Sequence, residues 1–199
     1  MAGAGFRRKI VLCPRLTETP RGRSLALVKL ALLLLPIWFA ACSDGPAAGR
    51  GGSGEAQALV TPAPPAVALA GRVTDAAAIL DPAREARLAG RLERLERATG
   101  RQLVVVTVPS LSGREVADFT RDLANAWGIG RADEDDGVVF LVAPRERRAR
   151  IEVGTGLETV LTDAACREIL TRDVLPRFRS GDLAGGIEAG VAALVARLL

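Results

Sequence analysis

The stretch Ala132 to Glu158, ADEDDGVVFLVAPRERRARIEVGTGLE, decides the fold. Val138 to Ala143 is a short apolar run of the kind buried inside a sheet. Ala149, Ile151 and Val153 alternate with Arg150 and Glu152, the period of a half-exposed strand that turns its charged residues to solvent. Pro144 to Arg147 is a connection of hairpin length, so the two strands are expected to pair antiparallel. In such a pair the start of the first strand and the end of the second share one end of the sheet. Asp135-Asp136-Gly137 and Gly154-Thr155-Gly156-Leu157-Glu158 are therefore expected to be neighbours in space.

Working outward, Leu103 to Val108 is a second β-branched run, bounded by Gly100 and Pro109. A helix between it and the hairpin, starting at Ser112 or Gly113 with Val116, Phe119, Leu123 and Trp127 on one face, makes a right-handed crossover between parallel strands. Before it, Asp81-Pro82 reads as a cap and first residue of a helix carrying Leu88, Leu92 and Leu95, which stops at Gly100. After Glu158, Thr162 caps a third helix that Pro176 is expected to break, and Leu183 to Leu199 forms a last one. The expected fold class is α/β: a small three-layer α/β/α sandwich with a short mixed β-sheet flanked by helices.

The N-terminal third reads differently. Residues 1–41 hold a basic region and then the apolar Leu30 to Ala41, too short to span a bilayer and suited to a signal peptide. Phe39-Ala40-Ala41-Cys42 resembles the bacterial lipobox, which implies a lipoprotein-type signal peptide (1–41) and lipidation at Cys42. Residues 42–66, rich in Gly, Ala, Pro and Ser, form a flexible tether. The folded domain is 67–199. The expected location is the bacterial cell envelope, exported and membrane-anchored through the N-terminal lipid, on the periplasmic side in a Gram-negative cell.

The chain of 199 residues has 27 Lys+Arg against 23 Asp+Glu. The leader holds seven of the basic residues and one acidic residue, so residues 42–199 keep 20 Arg, no Lys and 22 acids, a net charge of −2. The basic character of the whole chain thus resides in the leader and gives no reason to expect nucleic acid as a partner. There is no histidine, which removes Ser-His-Asp and Cys-His catalysis and every histidine metal site. Cys166 lies in a helical pattern as a small apolar residue.

The order of short motifs is itself informative. Val73-Thr74-Asp75 and Ile79-Leu80 precede Thr99-Gly100 and the strand from Gln102. Trp127-Gly128-Ile129-Gly130 and Asp136-Gly137-Val138 follow, then Arg150-Ile151-Glu152-Val153-Gly154, Thr155-Gly156-Leu157-Glu158, and finally Pro176, Phe178 and Ser180-Gly181-Asp182. This order resembles the TPM domain family, sometimes called the TPM phosphatase family, over about Val67 to Leu199. The resemblance implies an α/β sandwich on a short sheet. It also implies one of two activities. Some members look like membrane-associated accessory proteins, some of them calcium-binding, and plant members are linked to acid phosphatase activity. Many bacterial relatives carry a C-terminal membrane segment; this sequence departs there, ending at Leu199 and offering an N-terminal lipid instead.

Asp133, Glu134, Asp135 and Asp136 place four carboxylates in four residues, and the hairpin brings Glu158 to the same end. Hard oxygen ligands of this kind suit calcium, or magnesium with retained waters. Asp75 joins them on its family-like motif alone. The expected metal ligands are Asp135, Asp136, Glu158 and Asp75, with Ca2+ as the ion; a solvated acidic turn is the alternative. Gly154-Thr155-Gly156 could lend amides to a phosphate or merely make a tight turn. Arg145, Arg147, Arg148 and Arg150 gather at the hairpin's other end, where solvent, lipid headgroups or an acidic partner could meet them. The expected function is a lipid-anchored envelope accessory or binding module that acts on a membrane protein complex and binds calcium. The alternative is a metal-dependent phosphatase hydrolysing phosphomonoesters, an enzyme reading that rests on family resemblance only; the sequence names no catalytic residue.

Overall fold

The computed structural model describes residues 67–199. The expectations for the leader, Cys42 and the tether lie outside the described residues. The chain runs β1 (Val73–Asp75), α1 (Pro82–Thr99), β2 (Gln102–Thr107), α2 (Val116–Trp127), β3 (Gly137–Ala143) and β4 (Arg148–Val153). A 3-10 turn (Thr155–Leu157), α3 (Asp163–Ile169), a π-helical turn (Leu170–Val174), α4 (Leu175–Arg179) and α5 (Leu183–Leu198) complete it.

The sheet order is β1-β2-β3-β4. β1 and β3 flank β2 in parallel, with Asp75 opposite Thr107 and Gln102 opposite Gly137. β3 and β4 pair antiparallel, Val138 opposite Val153, and Gly154 N–H donates to Gly137 O at 2.8 Å. The hairpin and the parallel crossover are as expected.

Strand alternation divides the core in two. Val105, Val138, Phe140 and Ile151 pack under α1, α3 and α5 with Leu92, Ile169, Val191 and Leu194. Val104, Val106, Val139 and Leu141 pack under α2 with Phe119 and Leu123. Each such fully buried large side chain contributes about 1.5–3 kcal/mol. Helix starts are fixed locally: Asp81 accepts from Arg84 N (2.8 Å), Thr162 from Ala165 N (3.2 Å) and Asp182 from Gly185 N (2.9 Å).

Three expectations need correction. Ser112 and Gly113 have φ of 51° and 79°, left-handed values that no helix continues through, so α2 begins only at Val116. Pro176 does not end the third helical segment. The chain widens into a π turn over Leu170–Val174 and resumes as α4 with Pro176 in its first turn, where the missing N–H costs nothing. The third concerns β4, which is not half-exposed. Arg150 is 1% and Glu152 3% exposed. They share the sheet face that α2 covers, and they bond each other there, Nε to Oε2 at 2.7 Å. A buried charge needs a partner, and each of these two residues supplies the other's. Among the described residues no helix is long and apolar enough to cross a membrane.

Candidate functional site

The acidic loop and the glycine corner do meet, through backbone and side chain alike. Gly156 N–H donates to Asp135 O (3.1 Å), and Thr155 donates to Asp135 Oδ2 from both its amide (3.0 Å) and its hydroxyl (2.6 Å). A Cβ at Gly154 would overlap the carbonyl oxygen of Asp135, and one at Gly156 that of Glu134. The glycines are therefore what lets the two segments touch. The same bonds occupy the amides of Thr155 and Gly156, so the corner is not an open phosphate cradle.

Asp136 is 4% exposed and accepts three bonds from Arg131: from the amide (2.8 Å), Nε (2.8 Å) and Nη2 (2.5 Å). Burial pulls its carboxyl upward, but the Arg131 contacts outweigh this and hold it below the usual carboxylate range. Arg131 also pairs with Glu134. This arginine, just before the acidic run, is a site residue that the sequence reading missed. Its signal was the one positive charge beside four negative ones.

Asp135 has φ of 47°, the left-handed region, and its Oδ1 is buried with no hydrogen-bond partner among the described residues. Asp133 and Glu134 are exposed. Glu158 is half-buried and lines a crevice of about 10 Å³ with Arg150, Glu152 and Asp163, space for one water at most. Burial pushes Glu152 upward there against the pull of Arg150, and burial pushes the Cys166 thiol up to about 11.

Asp75 is not with them. β1 runs parallel to β2 and ends beside Thr107, whereas Asp136 precedes Gly137, which faces Gln102 at the strand's other end. Five residues of strand put about 17 Å between the two positions. Asp75 Oδ2 accepts from Leu80 N (2.7 Å), and its Oδ1 accepts the Thr107 hydroxyl. The four expected ligands therefore divide: Asp135 and Asp136 in one loop, Glu158 in the crevice beside it, Asp75 at the far edge. Among the described residues no three acidic or cysteine side chains converge as a metal ligand set.

The TPM domain family profile matches residues 73–197. The chain belongs to the TPM domain family. No curated protein matches it. Among solved structures it is similar to the N-terminal domain of a protein from P. gingivalis, at 37% identity and a TM-score of 0.60, covering 63% of this chain and 80% of that one. It is also similar in fold to the N-terminal domain of the cg2496 protein from Corynebacterium glutamicum (19% identity, TM-score 0.52, 65% and 80% covered). A third is the BA42 protein from Bizionia argentinensis (18% identity, TM-score 0.53, 60% and 81% covered). In this TPM domain Asp136-Gly137, Gly154 and Gly156 stand where the two segments lock together.

Proposed function

We propose that this TPM domain is a binding module of the bacterial cell envelope, tethered by lipid at Cys42 and acting on a membrane protein complex, and not a hydrolase. One observation carries the preference for binding over catalysis: the carboxylates best placed for chemistry are spent on the fold. Arg131 holds Asp136, Arg150 holds Glu152, and Thr155 holds one oxygen of Asp135. A carboxylate that must accept a proton from water or coordinate a metal needs a free lone pair aimed at a space. The competing reading is tested by phosphomonoester hydrolysis with calcium, magnesium or manganese. We expect no metal-dependent turnover; turnover abolished by Asp135→Asn in a chain that keeps its thermal transition would overturn the proposal.

A narrower calcium reading is favoured by the buried, unpartnered Oδ1 of Asp135. Asp133 and Glu134, adjacent in sequence, add negative charge to the loop, and a Ca2+ ion bound there would partner that oxygen. Asp136 and Asp75 stand outside this reading because their oxygens are occupied. A calcium titration followed by thermal denaturation tests it: a rise in Tm that Asp135→Asn abolishes supports it, and an unmoved Tm at millimolar calcium sinks it.

A further inference from the structure

At the opposite end of the sheet from the acidic loop lies a cavity of about 440 Å³, within the range of small-molecule sites. Arg147 of the β3–β4 turn, Arg148 at the first position of β4 and Arg179 at the end of α4 line it; Phe178, Leu183 and Pro144 give it apolar walls. It opens at the C-terminal end of β3, where open α/β sheets receive ligands.

Many of the described arginines are paired: Arg72 with Glu96, Arg114 with Asp122, Arg131 with Asp136, Arg172 with Glu168. Even the hollow on α1 lined by Arg87, Arg91 and Arg94 contains Glu188, which pairs with Arg87. Arg147, Arg148 and Arg179 have no carboxylate partner among the described residues, and no acidic residue lines their cavity. The two nearest in sequence are engaged elsewhere. Glu146 Oε1 accepts from Ser110 Oγ (2.7 Å) and Leu111 N (2.9 Å), and Asp182 caps α5 and meets Arg177. Arg147 N–H donates to Pro144 O, closing a turn in which Arg147 takes φ of 54°. The turn thus sets Arg147 beside the cavity, and Arg148 opens β4 opposite Ala143.

We propose that this cavity binds a phosphate group carried on an apolar body. Guanidinium forks match the oxygens of a phosphate two at a time, in monoesters and diesters alike, and three arginines with no acid among them favour such an anion. Phe178 and Leu183 would take the apolar part. The same chemistry is offered by a soluble phosphorylated metabolite and by a phospholipid headgroup, so the test separates them.

The full chain carrying Cys42→Ser, which leaves no residue to lipidate, is titrated by calorimetry with inorganic phosphate and with hexyl phosphate. It is also sedimented with phosphatidylglycerol and phosphatidylcholine vesicles. We expect hexyl phosphate to bind at least about tenfold tighter than inorganic phosphate. Arg148→Ala/Arg179→Ala should weaken it by about tenfold or more. Arg91→Ala/Arg94→Ala on α1, equal in charge lost, should leave it unchanged. If the alanine pair loses its thermal transition, Arg148→Gln/Arg179→Gln replaces it. Cosedimentation with phosphatidylglycerol but not phosphatidylcholine, lost in the double variant, assigns the headgroup as the source. Hexyl phosphate binding without cosedimentation assigns a soluble ligand. Binding to neither, or binding that survives loss of Arg148 and Arg179, overturns the proposal.

Discussion

Where β3 begins, charge is answered from within. Asp136 has Arg131, Glu152 has Arg150, and Asp135 has the Thr155 hydroxyl and amide. Where β3 stops, Arg147, Arg148 and Arg179 line a cavity with no acid among its lining residues. The two ends of one short sheet thus use charge for different purposes. At the first, hydrogen bonds join two loops whose backbones pass too close for any side chain, and ion pairs hold the charges within each segment. At the second, the same residue type is left unpaired around a space. Density of charge in the sequence is therefore a poor guide to where a ligand goes, because within the densest acidic run Asp136 is engaged by Arg131 and one oxygen of Asp135 by Thr155.

The comparison is broken most directly by removing a partner at the fastened end. Arg150→Ala leaves Glu152 buried without its cation and should cost about 3–5 kcal/mol in urea unfolding. Replacing both, as Arg150→Met/Glu152→Leu, should recover most of that loss. A double variant as unstable as the single would show that the loss comes from something other than the unpaired charge. Glu152 also has a pH signature. Its carboxyl titrates higher folded than unfolded, so the native state binds its proton more readily. Its unfavourable effect on stability is absent at low pH, where both states are protonated, and grows as pH rises from the ordinary glutamate value through the raised folded one. Glu152→Gln should flatten the stability curve in that window.

Next in size is the glycine corner. Gly154→Ala pushes a methyl into the Asp135 carbonyl and should cost about 1–3 kcal/mol, with Gly156→Ala similar. Asp136→Asn should cost a comparable amount, about 1–3 kcal/mol, by unpairing a charged hydrogen bond. Here the pH sign reverses. The Asp136 carboxyl is held low in the fold, so its contribution is present above the unfolded aspartate value and lost as pH falls through the lowered one. Acid denaturation of Asp136→Asn should lack that part of the slope.

Much of the fold was legible because it is written locally. The apolar runs of β2 and β3, the Asp81-Pro82 start and the Thr162 cap each announce themselves within a few residues. What was not legible is written at long range. β1 has three residues, too few for a period, so nothing local revealed that it runs parallel to β2 and carries Asp75 to the far end. Alternation reads Arg150 and Glu152 as solvent-facing, because a pattern of polarity cannot see that α2 covers both and that each neutralises the other. Pro176 was read as a stop because the rule concerns an α-helix and the chain answered with a π turn. The meeting of the acidic loop with Gly154-Thr155-Gly156 was legible, since hairpin geometry fixes it; the engagement of Asp136 by Arg131 was not. The cavity joins a hairpin turn to the α4–α5 connection, and no stretch of sequence contains both.

The smallest expected effect on stability separates the two ends most cleanly. Arg148→Ala/Arg179→Ala removes two charges of one sign from residues that make no ion pair among those described, so unfolding should shift by no more than about 0.5 kcal/mol per site. Relief of repulsion between Arg147, Arg148 and Arg179 makes a slight gain as reasonable a result as a slight loss, and that gain should shrink with added salt. A cost of the size expected for Arg150→Ala would mean that these guanidiniums are structural after all, and the contrast between a fastened end and an open one would fail. Unchanged stability combined with lost phosphate binding would place the ligand at the end of the sheet where the fold leaves its charges unspent.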